Sequence, residues 1–299
     1  MVPEQDVISS EDTGRVGAVV LHFNHVKLTE MCCRALLQQT RQVDQILVVD
    51  NGSQEPLGRA LINLGPRIRV IHLNENLGFA GGVNAGVDVL FREYHVEYIW
   101  LINNDVECDN DVLAGMLDQL LVMQTMAAIG CSLIEKSDNG GESTVIGGRF
   151  PYPILVPEVS TLGDPVDYLC GACLLLRSQA WREVGGMDTG YFFFFEDADW
   201  SMRAKQRGWT LGVCEEVKAR HIRSATIGQL PRLRGRYYRQ SYVRFLHHYS
   251  KAPFLLGAST TVYRLLVEAL QRHWETFWGT WEGWCKGRSD LRSSTEPYT

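Results

Sequence analysis

Gln45-Ile46-Leu47-Val48-Val49-Asp50-Asn51-Gly52-Ser53 is a short apolar run that stops in a turn sequence. The run reads as a buried strand, and Asp-Asn-Gly-Ser as the turn that ends it. Working outward, Gly17-Ala18-Val19-Val20-Leu21 is a similar run before it. Ile68-Arg69-Val70-Ile71-His72 and Tyr98-Ile99-Trp100-Leu101-Ile102 follow it. Between these runs, Leu28 to Gln39 and Ala80 to Phe91 have helical spacing. Asp111 to Met123 is a further helix, with Asp109 or Asn110 expected as its cap. Strands alternating with helices predict βαβ units and an α/β fold with a mainly parallel sheet. In such sheets ligands bind beyond the carboxyl ends of the strands. Asp50, Asn76 and Asp105 all fall there.

The chain has 299 residues, 45% apolar and 21% charged, an ordinary globular composition. Residues 1–15 are polar and acidic and read as a disordered tail with no export signal. No stretch approaches the ~20 apolar residues of a membrane span. Eight cysteines in a chain of this length do not form a disulfide framework, which fits a reducing cytoplasm. Cys170-x-x-Cys173 has no second pair at zinc spacing and reads as small buried residues. The net charge of −6 is unevenly placed. Residues 1–217 hold 15 Lys+Arg against 30 Asp+Glu, and residues 218–299 hold 14 against 5. The basic end suits an anionic partner, either a phosphate-bearing substrate or a membrane surface. No nucleic-acid-binding motif accompanies it.

Three further stretches carry candidate chemistry. Asn76-Leu77-Gly78-Phe79-Ala80-Gly81-Gly82-Val83-Asn84-Ala85-Gly86 opens a helix with four glycines. Backbone N–H groups there can approach a phosphate or sugar, or the glycines can serve close helix–sheet packing. Asn103-Asn104-Asp105 ends a strand, and an oxygen-loving divalent cation would suit Asp105. Glu107 is a potential neighbour and His221 a candidate second ligand. Phe192-Phe193-Phe194-Phe195-Glu196-Asp197-Ala198-Asp199-Trp200 carries carboxylates to the edge of an apolar wall. A carboxylate in such a place is partly desolvated and can be tuned as a general base.

These motifs, in this order, resemble family 2 glycosyltransferases, inverting enzymes of the GT-A fold with a Rossmann-like sheet. Gly171-Ala172-Cys173 and Gly185-Gly186-Met187-Asp188 extend the resemblance to the rhamnosyltransferase-like branch. It covers residues 16–250. It implies that Asp50 contacts a nucleotide base, and that Asn76 with Gly78, Gly81 and Gly82 lines a nucleotide-sugar site. Asn104 matches a usually acidic position near the donor. Asp105 matches a metal-binding acid for Mg²⁺ or Mn²⁺, and His221 a histidine that completes the metal site in some relatives. Asp197 matches the general base, with Glu196 beside it in the acceptor site. The neutral Asn103 and Asn104 depart from the acid-rich metal motif, and His22-Phe23-Asn24-His25 departs from the usual first-strand ending. Arg220, Arg223 or Arg236 would add positive charge at the leaving group. Asp199 and Arg203, spaced i,i+4, are read as a structural pair.

The expected activity is transfer of a sugar, a deoxysugar such as rhamnose, from a nucleoside diphosphate to a saccharide or lipid-linked hydroxyl. The alternatives are a nucleotidyltransferase and a non-catalytic nucleotide-sugar binder. The absence of a basic glycine-rich loop at Leu21-His22-Phe23-Asn24 opposes the first, and the intact Glu196-Asp197 opposes the second. Residues 251–299 read as an amphipathic helical extension. Trp274, Phe277, Trp278, Trp281 and Trp284 would form one stripe, facing a membrane interface, the catalytic domain or a second subunit of a homo-oligomer. The expected location is the cytoplasm, peripheral on the inner face of the membrane.

Overall fold

The computed structural model describes residues 14–55, 57, 61, 63–136, 141–222 and 230–293. The expected tail lies outside them except for Gly14 and Arg15. Arg15 is tied down, its backbone N–H donating to Glu97 Oε2 at 2.6 Å.

Four strands, β1 (Val16–His22), β2 (Gln45–Asp50), β3 (Ile68–His72) and β4 (Tyr98–Asn103), pair in parallel in the order β3-β2-β1-β4. Their register places His22 opposite Asp50 and Asp50 opposite His72, so the carboxyl ends align along one edge. Helices α1 (Val26–Leu37) and α2 (Gly78–Val89) connect them, as the spacing predicts. A π-turn (Leu90–Tyr94) lengthens α2. Helix α3 (Val112–Val122) starts from Asp111 without a side-chain cap bond, so neither Asp109 nor Asn110 caps it.

The sheet then becomes mixed. Strands β5 (Val106–Cys108), β6 (Met126–Lys136), β7 (Glu142–Val145), β10 (Cys173–Arg177) and β11 (Thr210–His221) complete nine strands. Strand β10 runs antiparallel between β4 and β6, while β11 lies parallel to β6. Strands β8 (Gly147–Arg149) and β9 (Glu158–Ser160) form a small separate hairpin.

Helices cover both faces. Alternate strand residues supply the two sides: Ala18 and Val20 pack with Cys32, Leu36 and Leu117, while Val19 and Val49 pack with Val83, Trp181 and Trp200. That explains the continuous apolar runs of β1, β2 and β4, because a sheet covered on both faces has no polar side. All eight cysteines are free. Cys173 sits in the core, where Trp100 Nε1 donates to its Sγ at 3.4 Å.

Helices α4 (Ser178–Val184) and α5 (Glu196–Gln206) follow β10. Three long helices end the fold: α6 (Pro231–Tyr249), α7 (Pro253–Leu270) and α8 (Trp274–Ser293). Pro231 and Pro253 stand in the first turns of α6 and α7, where no N–H partner is needed. Among the described residues, no helix is long and apolar enough to cross a membrane.

Candidate active site

The aromatic run places the acids. Tyr191 and Phe195 are buried in a cluster with Phe150, Tyr242 and Phe245. Phe194 and Phe195 both take left-handed backbone angles, φ 70° and 69°. Bulky side chains disfavour that region, and the surrounding packing holds it here. Phe195 lies tilted against Phe245 at 5.3 Å, Phe192 stacks on Tyr237 at 4.8 Å, and Ser241 Oγ donates to Phe193 O at 2.8 Å. The chain therefore turns sharply and α5 begins at Glu196 itself.

Asp197 is held by both oxygens. Gly171 N–H donates to Oδ2 at 2.8 Å, and Ala198 N–H donates to Oδ1 at 2.7 Å. Each oxygen keeps a lone pair for another donor. Asp197 retains some accessible surface but is densely surrounded, and burial raises its pKa against the pull of those N–H groups. Glu196 is buried, with no hydrogen-bond partner for Oε2. Burial, then the neighbouring Asp197, pushes its pKa well up. Asp199 and Arg203 pair at 2.7 Å, and Arg203 also donates to the carbonyls of Val184 and Gly186. That pair is structural, as expected.

Gly171 and Ala172 tie this acid to the strand ends. Ala172 O accepts the N–H of Asn103 at 2.9 Å, two residues before Asp105. Asp105 and His221 come together, Nε2 to Oδ1 at 3.3 Å. Glu135 Oε1 lies 3.0 Å from His221 Nδ1. Burial opposes the charge on His221, but the Asp105 and Glu135 carboxylates outweigh it and push the pKa up to about 9. Nothing in the sequence singled out Glu135; it arrives through the β6–β11 register, which sets it opposite His221. Glu107 instead faces solvent in a groove of about 420 Å³ that Arg34 and Arg220 also line.

The donor set fits a divalent cation. Asp105 offers an oxygen and His221 its Nε2, while Glu135 can hold the Nδ1–H that fixes this tautomer, a common second-shell device. Among the described residues no group of three or more such side chains converges on one point. Two protein ligands suffice where phosphate oxygens and water supply the rest.

The other expected residues brace the loops at this edge. Asp50 accepts the Ser53 N–H at 3.0 Å and contacts His72 Nδ1 at 2.9 Å. Burial would raise its pKa, but the Ser53 and His72 hydrogen bonds prevail and hold it below the usual carboxylate range. Asn76 Oδ1 accepts the Gly78 N–H and the Asn51 amide, at 2.9 and 3.1 Å. Gly78 has φ 73°, and a Cβ there would strike Phe192 O, so this loop reaches the aromatic run only through glycine. Gly81 and Gly82 answer to packing: a Cβ on Gly81 would lie 2.6 Å from Leu77 Cβ, and one on Gly82 would strike Leu21. Both are buried. Asn104 Nδ2 donates to Thr29 Oγ1 at 3.0 Å, and Thr29 Oγ1 lies 2.5 Å from His22 Nδ1. Burial lowers His22 to about 4, so it is neutral and can accept the Thr29 hydroxyl proton. This chain from β1 to Asn104 was invisible in the sequence, where His22 showed only as a departure.

Of the expected cations, Arg220 lies one residue from His221 and so on the opposite face of β11, 3.6 Å from Glu142. Arg236 sits on α6, over the Tyr237 ring at 6.0 Å. Arg223 lies outside the described residues.

The sequence and the fold have counterparts. Glycosyl transferase family 2 matches residues 18–185, and Glycosyl transferase family group 2 matches residues 155–281. The chain is 25% identical over 218 residues to the N-acetylglucosaminyl-diphospho-decaprenol L-rhamnosyltransferase of Mycobacterium tuberculosis, covering 64% of this chain and 71% of that protein. The fold is similar to that of the mannosyltransferase PcManGT from Pyrobaculum calidifontis, solved with GDP-Man and Mn²⁺, at TM-score 0.58 and 14% identity over 95% of this chain and 88% of that one. It is also similar to GalNAc-T7, solved with UDP, GalNAc and Mn²⁺, at TM-score 0.59 and 13% identity. There the match covers 78% of this chain but only 50% of GalNAc-T7. The chain belongs to glycosyl transferase family 2. It is a glycosyltransferase with a GT-A-type fold, rhamnosyltransferase-like in sequence.

Proposed function

We propose that the protein transfers a sugar, a deoxysugar such as rhamnose, from a nucleoside diphosphate to a hydroxyl of a lipid-linked saccharide, with inversion. The observation that carries this reading is Asp197, a carboxylate of raised pKa locked by two backbone N–H groups at the start of α5. Its remaining lone pairs take the proton of the acceptor hydroxyl as that oxygen attacks the anomeric carbon. The bond from that carbon to the diphosphate oxygen breaks on the opposite face, and the electron pair leaves with the nucleoside diphosphate. One displacement inverts the centre, by the single-step logic of inverting glycosidases. Glu196 borders the acceptor side, and Asp50 and Asn76 border the nucleotide side. Asp105 and His221 would hold Mg²⁺ or Mn²⁺, which when bound supplies positive charge to the departing diphosphate. The lipid-linked acceptor is inferred from the mycobacterial relative, whose name specifies a decaprenol-diphosphate substrate.

Calorimetric titration with a panel of nucleotide-sugars, with and without Mn²⁺, tests the donor side. Tight metal-dependent binding of one deoxysugar donor is expected. Asp197→Asn should bind that donor equally well and fail to transfer it. Unchanged turnover in that variant would remove Asp197 as the base.

A further inference from the structure

We propose that the α7–α8 hairpin seats the protein on an anionic lipid bilayer, its outward apolar faces lying in the lipid interface. Helix α7 is inverted relative to a helix that packs in water. Its buried positions are Gly257, Thr261 and Glu268. Leu255, Val262, Leu266 and Leu270 are exposed, Leu270 by 84%. At 100° per residue, the buried three lie on one side of the helix and the exposed four on the other.

Helix α8 repeats the pattern. Gly279, Gly283 and Gly287 recur every fourth residue and are buried. Cβ atoms at the first two would strike the backbone oxygens of Arg232 and Arg236 on α6, so this glycine ridge is what lets the two helices touch. Trp284 is buried against Gly257 of α7 and Phe277 is half-buried, which splits the stripe expected from the sequence. Trp274, Trp278 and Trp281 stay about half exposed on the face opposite the glycines.

Beside Trp284, the inner face of the hairpin carries polar groups. Glu268, 1% exposed, meets Arg264 Nε at 2.6 Å and Thr280 Oγ1 at 3.3 Å. Arg239 Nη1 donates to Thr260 Oγ1 at 3.1 Å. Small residues at the helix contact, polar side chains between helices and apolar ones outside are the rules of helices that meet lipid. In water an apolar surface of this extent marks an interaction site.

Charge identifies the occupant. Residues 218–251, which lead into the hairpin through α6, carry nine basic and no acidic side chains, while residues 253–293 carry five and four. Anionic headgroups complement the basic stretch, and Trp favours the boundary between headgroup and acyl chain. The helices have 18 and 20 residues and are not apolar enough to cross, so they lie on the bilayer and do not span it. Helix α6 links this seat to the acid site, through Tyr237 on Phe192 and Ser241 on Phe193 O.

The test is flotation of the whole protein with vesicles, without sugar donor, so that its failure leaves the transferase reading untouched. Vesicles of phosphatidylcholine alone are compared with vesicles about a third phosphatidylglycerol. Binding to the anionic vesicles is expected, with Trp emission quenched by brominated acyl chains. The double variant Leu266→Glu/Leu270→Glu, on exposed positions, should reduce binding about tenfold or more, because apolar area leaves the interface. Its unchanged donor binding and circular dichroism would show that it is folded. The proposal is overturned if neither vesicle binds. It is equally overturned by binding without quenching, or by a dimer in light scattering that the double variant converts to monomer.

Discussion

Under the sheet, Trp100 and Trp200 are fully buried, while in the α7–α8 hairpin it is Thr261 and Glu268 that are buried and Leu266 and Trp278 that face outward. One chain thus contains two interiors of opposite polarity. The sheet interior excludes water with continuous apolar strands and helices on both faces. In and around the hairpin, buried glycines press on α6, and Glu268, paired with Arg264, is buried with Thr261 beside a single Trp284. The difference teaches that burial follows the solvent outside: the region facing water hides its apolar groups, and the region proposed to face lipid hides its polar ones.

Variants can break this comparison in either half. The largest effect is expected at the acid site. Asp197→Asn should lower the transfer rate about 10²- to 10⁴-fold, the usual range for a lost general base. Vesicle flotation by the same variant should match the wild type, since the hydrogen bonds of the Asp197 carboxylate run to Gly171 and Ala198 and not to the hairpin. A loss of flotation would mean that the hairpin answers to the catalytic turn.

Next is the pH dependence of the sheet half. His221 has a folded pKa near 9, above its ordinary value of 6.5. A raised histidine stabilises the fold fully below the unfolded pKa and loses that contribution as pH rises through the folded one. Metal-free protein should therefore lose up to ~3 kcal/mol between about pH 6 and pH 9.5. His221→Asn should flatten this slope in urea melts taken across that window. A slope that survives the substitution would assign the titration to other groups.

A somewhat smaller effect is expected where the hairpin meets α6. Gly279→Val pushes a side chain into the Arg232 carbonyl. Overpacking of this kind costs about 1–3 kcal/mol. Chemical denaturation should show the loss, with nucleotide-sugar affinity preserved. Full stability would show that α6 and α8 separate easily and that the ridge is not what joins them.

The smallest effect has the opposite sign. Glu196 has a buried oxygen without a hydrogen-bond partner and a pKa pushed up by burial. Unfolding lets it ionise freely, so its contribution to stability falls as pH rises above its unfolded pKa. Glu196→Gln should raise stability at neutral pH by about 1–2 kcal/mol, read as a higher Tm, while impairing transfer. A lower Tm would mean that the carboxyl makes a bond that its neutral replacement cannot.

Much of the sheet half was legible because its signals are local. The strand at 68–72 and the helices after β1, β3 and β5 follow from short apolar runs and helical spacing. Strands β6 and β11 were missed. β6 is interrupted by Gly130 and Cys131, and β11 carries Glu215, Glu216, Lys218 and Arg220, so neither shows the alternation of a half-buried strand. Helix α6 was read only as a basic patch, although Pro231 marks its first turn.

The sequence by itself determined the alternation of strands and helices, the order of the polar strand ends and the acid turn after the aromatic run. These depend on neighbours within a few residues, which a chain displays directly. Only the tertiary structure decided that Glu135 stands behind His221, that Thr29 joins His22 to Asn104, and that Gly279 and Gly283 press on α6. Those contacts join residues up to 86 positions apart, and sheet register and helix crossing, which no local pattern encodes, bring them together.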